Sequence, residues 1–103
     1  MWRSDVLINL QLYFIMKILP KYKVRRVANE NVVLVQGRNA GDMTTVIALN
    51  ETSLYLWNEL YGKDFELQDV VRLLMGRYDV EEATATKDAE SWLATLREKS
   101  VLV

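Results

Sequence analysis

Between Thr45 and Trp57 the apolar residues change their period, and that switch, in the stretch VIALNETSLYLW, constrains the fold more than any other feature. Up to Leu49 the pattern has a period of two. Thr45, Ile47 and Leu49 share one face of a strand, and Thr44, Val46 and Ala48 share the other; the first set reads as the core face. From Asn50 the pattern becomes helical. Asn50 is a good N-cap because its side-chain oxygen can accept an otherwise unpaired backbone N–H, and Glu51 stands where the positive end of the helix dipole favours an acid. Leu56, Trp57 and Leu60, with Ser53, fall on one helix face, and Gly62 is a natural C-terminal stop. The junction therefore folds a helix back over a sheet and places Trp57 in the core.

The segments on either side extend this division. Upstream, KYKVRRVA alternates like a strand, NEN at 29–31 is turn-rich and VVLVQ at 32–36 is β-branched, which predicts a hairpin. GRNAGD at 37–42 reads as a loop before the third strand. Downstream, Phe65 and Val70 are spaced as a hydrophobic staple around Glu66 as N-cap. Leu67, Val70, Val71, Leu74 and Tyr78 form the stripe of a second helix, with Gly76 near its end. Asp79 and Glu82 have capping-box spacing before a third helix, whose stripe is Ala85, Ala89, Trp92, Leu93 and Leu96. The predicted fold class is α+β, winged-helix-like: a three-stranded antiparallel sheet followed by three helices.

Composition narrows the chemistry. The 103 residues, half of them hydrophobic, suit one compact domain. The chain contains no cysteine and no histidine, which removes disulfides, thiolate nucleophiles, the usual zinc ligands and the commonest general base. Charge is unevenly distributed: seven basic and three acidic residues precede Met43, and the overall charge of −1 leaves an excess of five acids beyond it. The cluster KYKVRR at 21–26 reads as a solvated strand that discourages edge-to-edge pairing, with contact to an acidic partner as the alternative.

Together these segments resemble the PqqD-like family, also called RiPP recognition elements. The resemblance rests on the strand ending in LNETSLYLW, then Gly62, FELQDVVRLLMGRYDV and AESWLATLREKSVLV, and it covers residues 21–103. Two positions depart from the family pattern. Glu66 stands where a capping Thr or Ser is common, and Ser100 where a helix-ending Gly is common.

The resemblance implies a non-catalytic adaptor, needing no cofactor, that holds the leader segment of a ribosomally made precursor peptide and presents it to a modifying enzyme, often a radical S-adenosylmethionine enzyme. The leader would add as a strand to the edge of the third strand, beside the third helix. Backbone groups would then supply affinity, and pockets for alternate side chains would supply specificity. Carried onto this chain, the edge is Thr44, Thr45, Val46, Ile47 and Ala48, and the facing helix offers Asp88, Ser91, Trp92 and Thr95. Trp92 also reads as a core residue of the third helix, and the two roles are compatible.

Other function classes fare worse. A DNA-binding winged helix would insert its third helix, but residues 80–99 carry five acids against three bases, which opposes phosphate contact. No pair of carboxylates is set apart for acid–base catalysis. A regulatory or scaffold module with another peptide client remains the alternative. The start of the chain, MWRSDVLINLQLYFI, lacks a signal-peptide charge pattern and cleavage site and is too interrupted to span a bilayer, so the expected setting is cytoplasmic with no membrane partner. Asn50-Glu51-Thr52 matches a glycosylation sequon, which carries no weight without a secretion signal. Val6, Ile8, Leu10, Leu12 and Phe14 alternate, so residues 1–20 read as an apolar arm whose strand-like part pairs with a sheet edge, in the same molecule or in a homodimer; the alternative is that Met16 is the true start and the segment before it has no native role.

Overall fold

The computed structural model describes residues 15–35 and 45–103. The arm residues from Val6 to Phe14, the loop at 37–42 and Thr44 lie outside the described residues. The elements are β1 (Met16–Lys17), β2 (Val24–Val27), β3 (Glu30–Val35), β4 (Thr45–Leu49), α1 (Glu51–Leu60), β5 (Asp64–Phe65), α2 (Leu67–Arg77) and α3 (Glu82–Glu98). The main sheet is antiparallel in the order β2-β3-β4, and the three helices follow it, as the α+β reading expects.

The hairpin turn falls one residue earlier than its composition indicates. Val27 pairs with Glu30, leaving a two-residue loop of Ala28 and Asn29 with φ of 51° and 68°. Two successive positive φ angles define the turn whose twist matches the flanking strands. Asn tolerates that conformation, whereas Ala carries no turn signal, so composition points to a turn at 29–31 although Glu30 and Asn31 belong to β3.

On β4 the expected face is inward. Ile47 and Leu49 are buried, while Val46 is 55% exposed. Ile47 pairs with Val33 and Thr45 with Val35, so β3 contributes to the same face. Burial of Val33, Val35, Ile47 and Leu49 against Leu56, Trp57 and Leu60 joins α1 to the sheet. Asn50 caps α1 as read, accepting the Ser53 N–H at 2.8 Å. Gly62 ends the helix with φ 73°, a left-handed conformation that an L side chain rarely adopts.

The other helix ends show which departures from the usual pattern matter. At α2, the Asp69 carboxylate accepts the Glu66 N–H at 2.8 Å, and the Asp69 N–H bonds back to the Glu66 carbonyl at 3.0 Å. Phe65 and Val70 are both buried in the core. The start of α3 differs from expectation: Glu81, not Asp79, is the N-cap residue, and it makes no side-chain cap bond. A bond from the Val80 N–H to the Tyr78 carbonyl keeps the preceding residues in a turn. At the far end, the Ser100 N–H bonds to the Arg97 carbonyl at 3.0 Å and the Val101 N–H to the Leu96 carbonyl at 3.2 Å. Those two bonds make a Schellman motif with Ser100 at the left-handed position, φ 65°.

The Schellman turn sends the last residues back along the molecule. Val101 is completely buried, Leu102 bridges to Ile18, and the Val103 N–H donates to the Lys17 carbonyl. Met16 pairs with Phe65 and Lys17 with Asp64, where the side chains also form an ion pair at 3.7 Å. Met16 and Ile18 are thus core residues, held between β5 and the C-terminal tail. These two-residue strands are too short to show a period in sequence.

Candidate functional site

A groove of about 450 Å³ runs between β4 and α3. One side is formed by Ile47, Ala48 and Leu49, and the other by Asp88, Ser91, Trp92 and Thr95. Residues of opposite strand parity, Ile47 and Ala48, both line it. The groove therefore opens along the edge of β4 and not merely over one face. Among the described residues β4 pairs only with β3, which leaves its outer row of backbone groups unpaired.

The spacing on α3 explains how four side chains share one wall. Asp88, Ser91, Trp92 and Thr95 follow the spacing i, i+3, i+4 and i+7 and so stack along one helix face. The adjoining face, Ala85, Ala89, Leu93 and Leu96, is buried in the core and fixes the rotation of the helix. Trp92 sits at the boundary between these faces. It packs against the core while lining the groove, so the core and wall readings are both realised. Its indole Nε1–H is buried without a hydrogen-bond partner among the described residues. The Thr95 hydroxyl donates back to the Ser91 carbonyl at 3.1 Å, which holds it against the helix.

The floor is apolar, formed by the buried side chains of Leu56, Leu74 and Leu96, one from each helix. Asn50, Thr52 and Ser53 close one part of the groove at the start of α1. Behind them, the Thr52 hydroxyl donates to the Tyr78 hydroxyl at 3.1 Å, tying α1 to the end of α2. Tyr55 meets Tyr78 edge-on at 6.5 Å, and the Arg77 guanidinium lies 4.4 Å from the centre of the Tyr55 ring. The groove is therefore carried by a cross-braced set of helices.

Of the nine residues singled out in sequence, Ile47, Ala48, Asp88, Ser91, Trp92 and Thr95 meet around this groove. Thr45 and Val46 continue the same β4 edge without lining it. Thr44 is outside the described residues. The floor residues Leu56 and Leu74 and the α1 residues Asn50, Thr52 and Ser53 were not singled out as site residues. Leu56 and Leu74 carried only a core signal, and Asn50 only a capping signal.

Chemically, the described residues of the groove offer an unpaired strand edge, an apolar floor and a polar rim with Asp88 as their one charged side chain. The described residues contain no cluster of three potential metal ligands, and no helix among them is long and apolar enough to cross a membrane. The family model described as coenzyme PQQ synthesis protein D (PqqD) matches residues 30–102, a span from β3 through the C-terminal bridge. No curated protein and no solved structure matches the chain in the corresponding searches.

Proposed function

The chain belongs to the PqqD family, and from that premise we propose that it is a non-catalytic adaptor that holds a precursor peptide's leader segment in the β4–α3 groove. The single observation carrying this reading is the edge of β4, unpaired among the described residues, directly beside an apolar-floored groove. An extended peptide added there completes its backbone hydrogen bonds with β4 and places alternate side chains over the groove. The adaptor then offers the remainder of the precursor to a separate modifying enzyme. The family resemblance favours a radical S-adenosylmethionine enzyme in that role.

Such binding needs no nucleophile and no metal from this chain. The affinity comes from paired backbone groups and buried apolar side chains. Nucleic acid is a poor occupant because α3 has four acids against two bases.

The test is a displayed library of random peptides selected against the intact chain, followed by measurement of the enriched peptides against Ser91→Trp. Ser91 is exposed on the groove wall, so an indole there fills the groove without disturbing the core. The expected result is enrichment of extended, alternating apolar peptides whose binding is lost in Ser91→Trp. Equal binding to both forms would place the peptide site elsewhere.

A further inference from the structure

The groove has a charge signature that its family reading does not specify. Among the described residues Asp88 is the only charged side chain lining it. Asp88 is exposed and forms no ion pair among the described residues. Its helix neighbours at three and four positions are Thr84, Ala85, Ser91 and Trp92, none of them basic; Lys87 is adjacent in sequence but is turned about 100° around the helix, forms no ion pair with Asp88 and does not line the groove. An exposed carboxylate is ordinarily satisfied by water. Here it stands on the wall of a groove whose other lining groups, among the described residues, are neutral, and a bound strand would displace some of that water.

A pair of basic residues lies across the sheet. Arg25 and Arg26 are on β2, two strands from β4. At about 4.8 Å per strand that separation is roughly 10 Å. Neither arginine lines the groove, and salt attenuates their field across a separation of that order.

Resting on the peptide-binding reading above, we propose that the bound peptide carries a lysine or arginine at the position facing Asp88, and that Asp88 is the specificity-determining side chain of the groove. The apolar floor accepts many hydrophobic residues of similar size and so discriminates weakly among them. A fixed carboxylate distinguishes cationic from anionic peptides directly, attracting one and repelling the other. An exposed pair of this kind changes affinity by up to about fivefold, and the effect diminishes as salt rises.

The experiment selects one displayed random-peptide library in parallel on the wild-type chain and on Asp88→Lys. Lysine suits an exposed helix interior, and circular dichroism verifies that the variant retains the fold. Enriched peptides are then synthesised with lysine, glutamine or glutamate at the biased position, and their affinities are measured at low and high salt. The inference expects wild type to enrich Lys or Arg at one position, and Asp88→Lys to enrich Asp or Glu there, with the two preferences converging at high salt. Enrichment of the same peptides by both forms, without a charge bias, would overturn the role of Asp88 while leaving the peptide groove standing. Failure of both folded forms to enrich any peptide would overturn the groove reading and this inference with it.

Discussion

Replacing Trp57 by alanine should come close to unfolding the domain. Trp57 is 2% exposed, so folding removes nearly its whole side chain from water. A Trp buries roughly 200 Å², which at about 25 cal/mol per Å² corresponds to roughly 5 kcal/mol, part of which alanine retains. Its ring also stacks on Tyr61, with centroids 6.0 Å apart and planes 30° apart. Tyr61 in turn donates its hydroxyl proton to the Pro20 carbonyl, so the loss extends toward the entry to β2. The expected cost is about 3–5 kcal/mol. Domains are commonly stable by only about 5–15 kcal/mol, and this cost would lower the melting temperature by roughly 12–40 °C. Urea unfolding followed by circular dichroism measures the change, with Trp57→Phe expected to recover most of the loss. A cost below about 1 kcal/mol for Trp57→Ala would refute the placement of α1 on the sheet, because a buried large aromatic cannot be removed that cheaply.

Two left-handed residues give opposite expectations. Ser100→Gly should stabilise by up to about 1 kcal/mol, since glycine adopts φ 65° without the side-chain clash but gains unfolded-state entropy; a loss of stability would contradict the Schellman turn. Gly62→Ala should destabilise by about 1 kcal/mol despite the open space around its Cα, because the cost comes from φ 73° and not from a neighbour; a neutral result in thermal melting would show that the end of α1 can take another conformation. Deletion of residues 1–15 tests the proposed pairing of the arm with a sheet edge. The shortened chain should stay folded, lose self-association in sedimentation velocity and bind selected peptides more tightly; an unchanged oligomeric state and affinity would remove the arm from this role.

The parts of the fold legible in sequence are those where local chemistry and tertiary packing agree. Asn50 caps α1, Ile47 and Leu49 face inward, and Val70, Val71 and Leu74 form the buried stripe of α2. In each case the residue's intrinsic preference and its position in the core demand the same conformation. Ala28 was obscured because alanine offers no reason to adopt φ 51°; the pairing of Val27 with Glu30 imposes it. Asp79 had capping-box spacing, but the turn through Tyr78 and Val80 starts α3 after Glu81 instead. The contacts of Met16, Ile18 and Val101 depend on segments far apart in sequence, which periodicity cannot reveal.

The groove followed the same logic. Asp88, Ser91, Trp92 and Thr95 share a wall because helix geometry alone aligns them, and β4 was recognisable by its alternation. The floor was hidden because Leu56, Leu74 and Leu96 come from three helices and carry ordinary core signals. A core leucine becomes a groove floor only through the gap that neighbouring elements leave above it.

Residue-resolved amide hydrogen exchange, measured with and without a peptide selected on the wild-type chain, tests strand addition most directly. The outer amides of β4 lack a partner among the described residues and should exchange readily in the free protein. With peptide bound, amides at alternate positions within 45–49 should become protected, because a strand's N–H groups point alternately to its two neighbours. Unchanged exchange along β4 under saturating peptide, with protection appearing on β2 or on the helices alone, would contradict the account.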